Sequence, residues 1–155
     1  MSYHFHTDQW WEGPVESAAE YTLSYAIVRS YDAKRLYYRP EYRYLGAQTP
    51  TSNSIEWSEQ RGMRLPIHRP SYTPSHPSGR RTIVAYLLVY EDEPVSNPYV
   101  AQLKHAPLQM LRGSRPMTLF FVFGQSEPAA FARAEQRAHA WLWEAWERYR
   151  SQCGA

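Results

Sequence analysis

His4-Phe5-His6-Thr7 sets two imidazoles on one side of an extended chain, because successive side chains of a strand alternate faces. That spacing suits a metal pair, or half of a two-histidine phosphoesterase motif. A metal would need further ligands from Asp8, His68 or His76. The phosphoesterase would need a second His-x-Thr/Ser pair inside a strand, and the one candidate, His76-Pro77-Ser78, falls in a proline-rich stretch. A frayed, polar N-terminus is the simpler expectation. Glu91-Asp92-Glu93 ends an apolar run where metal-dependent nucleases place an acidic ligand, but the next apolar run, 117–123, carries no charge to complete such a site. There is no glycine-rich phosphate loop, no Gly-x-Ser-x-Gly elbow and no His-Glu-x-x-His helix. Cys153 is the single cysteine, with nothing to hold a histidine base beside it. An enzyme reading therefore has no catalytic residue to rest on, and the sequence implies neither cofactor nor metal.

Binding chemistry is better represented. Fifteen of the 17 basic residues are arginine, and the chain holds 13 Tyr and 6 Trp. These types dominate binding hot spots, because they combine large contact area with directional hydrogen bonds. Arg35, Tyr37, Arg39 and Arg43 fall on one face of an alternating stretch, where arginine can meet phosphates and tyrosine can stack on bases. The same pattern also protects an edge strand from aggregation. Arg61, Arg64 and Arg69 follow in a segment with no acid after Glu59. Trp143 and Trp146 lie off the main apolar stripe of the last helix and suit either a partner, a dimer mate or the domain's own second layer. The expectation is a non-enzymatic binding protein acting on a macromolecule, another protein first. A nucleic-acid binder using the Arg/Tyr face is the alternative, and a small phosphoesterase or nuclease the second.

Charge is unevenly placed. Residues 1–20 sum to −4, residues 21–81 to +6, and the remainder balances. A basic middle attracts nucleic acid, anionic membrane or an acidic protein. An apolar fraction of 43% supports a core. No run is long enough to span a bilayer, and the first residues lack the pattern of a secretory signal. One cysteine cannot form an internal disulfide, which suits a reducing, cytoplasmic setting.

Several elements must position these groups. Residues 82–91 and 117–123 are continuous apolar runs and read as strands buried on both faces. Between them, Asn97 caps a helix that starts at Pro98 and is broken at Pro107. Phe131, Ala134, Ala138, Trp141, Leu142, Ala145 and Tyr149 recur at helical spacing within 125–152, with Arg133, Arg137, Glu144 and Arg148 opposite and Glu144 spaced to pair with Arg148. Residues 21–31 and 35–44 read as an antiparallel hairpin, with Pro40 confining the second strand to an edge. Trp10-Trp11 suits a short plug into the core. Residues 47–79 are proline-rich, basic and poor in apolar side chains, which predicts a flexible loop. The fold expected is a single α+β domain over 1–155: a mainly antiparallel sheet of four or five strands with the C-terminal helix across one face. A partly parallel α/β arrangement is the alternative.

Overall fold

A computed structural model describes residues 9–31, 51–72, 79–113 and 115–153. The two apolar runs form its centre. β5 (Arg81–Tyr90) and β7 (Met117–Ser126) pair antiparallel, from Arg81 opposite Ser126 to Tyr90 opposite Met117. That pairing excludes the parallel alternative. Each strand is buried on both faces: Ile83, Ala85, Leu87, Phe120 and Val122 enter one core, and Val84, Tyr86, Leu88, Leu119 and Phe121 the other. Their lack of alternation follows from having no solvated side.

Around this pair the sheet runs β1 (Gln9–Ser17), β2 (Tyr21–Ser30), β7, β5, β4 (Met63–Ser71), β3 (Ser52–Gln60), and the short β6 (Glu93–Val95) also pairs with β5. Among the described residues the sheet thus has seven strands, all antiparallel, against the four or five expected. α1 (Pro98–Arg112) precedes β7. After β7 a single 3-10 turn (Pro128–Ala130) leads into α2 (Phe131–Cys153), so the last helix begins later than its cap signal at Ser126 suggests.

The loop expected over 47–79 is overturned across most of its length, since 52–71 is a β-hairpin. Its turn is Arg61-Gly62, both with positive φ, 50° and 75°, the geometry that fits two-residue hairpins to the twist of a sheet. Leu65 and Ile67 enter the helix-side core, which fastens the hairpin to the rest. Proline content hid this. Pro66 and Pro70 share a side of β4 with His68, which is bridged to Tyr86 of β5, so they remove N–H donors from the β4–β5 ladder and leave the β3–β4 ladder whole.

β2 is a strand as expected, paired with β1 and β7; its expected partner, 35–44, lies outside the described residues. The N-terminal pair Trp10-Trp11 stands on the outermost strand among the described residues, 36% and 49% exposed, and does not plug the core. Asn97 caps α1 as expected, its Oδ1 accepting from the Val100 N–H at 3.3 Å. The helix runs through Pro107 without a break, at an exposed position where the ring meets solvent.

α2 covers one sheet face with Ala134, Ala138 and Leu142, all fully buried, and with Phe131, Trp141, Ala145 and Tyr149 partly so. α1 lies on the other face, where Ala101 joins the second core.

Candidate functional site

Three rows of side chains cross β1, β2 and β7 under α2. Register sets Gln9, Arg29 and Thr118 in the first row, Trp11, Ile27 and Phe120 in the second, and Gly13, Tyr25 and Val122 in the third. Gly13 leaves room for the ring placed there. A Cβ on it would lie 2.7 Å from the Tyr25 ring, which folds over the glycine. Trp141 of α2 stacks on the other side of that ring, with centroids 4.8 Å apart and planes at 22°. Farther along, Tyr149 meets Phe120 edge-on at 5.7 Å. Between this floor and roof lies a half-open groove of about 560 Å³, lined by the first two rows, Tyr25, Trp141, Glu144, Ala145, Arg148, Tyr149 and Gln152.

The groove is polarised along its length. From Tyr25 to Arg29 an extended strand rises about 13 Å, and from Trp141 to Arg148 a helix rises about 10 Å. Arg148 and Gln152 therefore reach the end where Gln9, Arg29 and Thr118 form the floor, Tyr25 and Trp141 line the other end, and Trp11 and Ile27 form the floor between them. Among the described residues neither Arg29 nor Arg148 has an ion-pair partner. Glu144 does not pair with Arg148 as its spacing suggests. Its carboxylate lies 3.6 Å from Arg137, two turns earlier on the same face, and Arg137 is also 3.6 Å from Glu16. One end of the groove is thus aromatic and the other carries two uncompensated guanidinium groups.

The arginines singled out in the sequence do not gather. Arg35, Tyr37, Arg39 and Arg43 lie outside the described residues, as do His4, His6 and His76. Arg69 sits between Glu56 of β3 and Glu135 of α2 and is ion-paired to both. Arg64, on the opposite sheet face, lies over the Trp57 ring at 5.1 Å. Arg61, at the hairpin turn, is 3.5 Å from Glu147. Trp143 and Trp146 are core residues, 3% and 4% exposed, and offer no surface to a partner. The stripe on α2 is simply wider than the heptad-like spacing suggests, because the β3–β4 hairpin supplies a second wall; Trp143 Nε1 donates to Ser58 Oγ of β3 at 2.8 Å.

A second surface lies on α1. Val100, Leu103, Met110 and Leu111 are 60%, 76%, 90% and 84% exposed, and with Pro107 they follow the three- and four-residue spacing of one helical stripe. Segment 98–115 contains Lys104, His105, Arg112 and Arg115 and no acid. The proline break expected there concealed the stripe.

The acidic turn Glu91-Asp92 is structural. Both residues have positive φ, 48° and 66°, closing the β5–β6 hairpin. Asp92 accepts from the Tyr149 hydroxyl at 3.0 Å, and Glu91 lies 3.1 Å from His105 Nδ1, off the hydrogen-bonding direction. His68 is buried and stacked on Tyr86 at 4.6 Å, its Nε2 without a hydrogen-bond partner. Burial lowers the pKa of both His68 and His139 from the ordinary value. Among the described residues no group of three or more His, Cys, Asp or Glu is placed to hold a metal ion. Among the described residues no helix is long and apolar enough to cross a membrane.

Compared with known protein families, with curated proteins and with solved structures, the chain matches none.

Proposed function

We propose that this chain is a non-enzymatic binding protein that acts on another protein, with the exposed stripe of α1 as its docking surface. The observation that carries the reading is the exposure of Val100, Leu103, Met110 and Leu111 along one helical line. Leaving four large apolar side chains in water on one short helix forgoes the stabilisation that burial brings, about 1.5–3 kcal/mol for each one fully buried. The partner fits a stated chemistry: an apolar groove with an acidic rim to meet Arg112, since segment 98–115 holds no acid, while Lys104 and Arg115 lie 3.9 Å and 3.8 Å from Glu93 and Glu91. The same charge disfavours pairing with a second copy of this helix. Nucleic acid is the second reading: Arg61, Arg64 and Arg69 are each engaged within the chain, and the Arg35, Tyr37, Arg39 and Arg43 face lies outside the described residues. The single cysteine suits a reducing compartment, and we place the protein in the cytoplasm on that ground.

The test compares partners retained by the wild-type chain and by Leu103→Asp and Met110→Asp in nuclease-treated native lysate. Both sites are exposed, so melting temperatures are expected to be unchanged. Loss of a protein partner in both variants, and its weakening with salt, supports the reading. A partner that survives both substitutions, or one removed by nuclease, overturns it.

A further inference from the structure

We propose that the groove under α2 binds a small molecule made of a planar aromatic ring and one anionic group, carboxylate or phosphate. The inference is independent of the α1 reading and rests on the other face of the sheet. A volume of about 560 Å³ lies within the range of small-ligand pockets. The charge pattern selects the ligand. Arg29 and Arg148 converge on one end from different elements, and neither is neutralised by a neighbour among the described residues. Guanidinium groups favour the flat, two-oxygen face of a carboxylate or phosphate. Glu144, the one acid lining the groove, is already paired with Arg137 and does not cancel them.

The middle and far end of the groove select a ring. Trp11, in the row next to Arg29, is half-exposed and makes no ring contact among the described residues, so its indole face is available to stack. Trp141 is held in place by Tyr25, which keeps the opposite wall flat. Along the strands the Trp11 row lies about 7 Å and the Tyr25 row about 13 Å from the Arg29 row, which suits a ring joined to its anion by a short linker. An aliphatic acid would satisfy the arginines and leave the aromatic walls without a matching face.

The test is a titration of the isotope-labelled chain followed through its tryptophan indole N–H signals. The probes are indole-3-acetate and adenosine monophosphate, each beside its uncharged counterpart, 3-methylindole and adenosine, with octanoate as an acid lacking a ring. At least one aromatic anion is expected to shift the Trp11 and Trp141 signals, and its neutral counterpart to bind about tenfold or more weakly. Which of the two anions binds tells carboxylate from phosphate. Arg148→Glu and Arg29→Glu, both at exposed positions, are expected to weaken binding about tenfold or more with an unchanged melt, and Leu103→Asp to leave it intact. The proposal is overturned if neither aromatic anion shifts those signals, if the neutral counterparts bind equally well, or if octanoate binds as tightly.

Discussion

Gly124 shows how narrowly single residues are fixed in the centre of this sheet. A Cβ at that position would stand 1.9 Å from the Thr22 carbonyl oxygen of the neighbouring strand, backbone that cannot step aside. Gly124→Ala is therefore expected to cost several kcal/mol or to prevent folding, measured by denaturant melts. Leu142 is fully buried against the sheet, and Leu142→Ala should cost about 2–5 kcal/mol. Arg137→Ala, on the same helix, removes only partly exposed ion pairs and should cost less than about 1 kcal/mol. Equal costs for these two would reject the assigned face. His68 gives a pH dependence with a definite sign. Burial, opposed in part by a hydrogen bond to the Val95 backbone, holds its pKa below 6.5. Below that pH the unfolded chain takes up a proton that the folded chain refuses, so stability falls as pH drops through the range between the two values. His68→Phe keeps a ring on Tyr86 and removes the titration. Its melting temperature should decline less steeply than the wild type's from about pH 7 to pH 5; an equal decline would show that His68 does not drive it.

Elements differ in how plainly the sequence announces them, and the reasons are physical. The strands at 82–91 and 117–123 and the helix containing Leu142 are legible because their burial is continuous or follows one period. The β3–β4 hairpin is not, since its prolines read as breakers although they fall only where β4 faces β5. β1 is the outermost strand among the described residues and its burial is slight, so it carries no alternation to recognise. The groove was legible only in its parts. Tyr25, Trp141 and Arg148 are each visible as residue types, but their meeting depends on Gly13 opposite Tyr25, a long-range register that no local pattern encodes. The hairpin permits a direct check. Trypsin should cut the native chain after Arg61, at the exposed turn, well before it cuts after Arg64 or Arg69, which lie in strands. Cutting at all three sites at one rate would mean that the hairpin does not hold to the core.

At the scale of the whole molecule, the sheet separates two surfaces. α2 and its groove occupy one face, and α1 with its apolar stripe lies on the other. A ligand on one side and a protein on the other could be bound together without competing for side chains. The docking role of α1 is the central claim, and site-specific photo-crosslinking tests it most directly. A photoreactive phenylalanine analogue would replace Leu103 in one chain and Gln136, exposed on α2, in another, and both would be irradiated in native lysate. The result expected is a protein adduct at 103 that is absent at 136, resists nuclease, and fades when Arg112 is changed to Glu. An adduct with lipid, nucleic acid or a second copy of the chain, or equal labelling at 103 and 136, would contradict the claim.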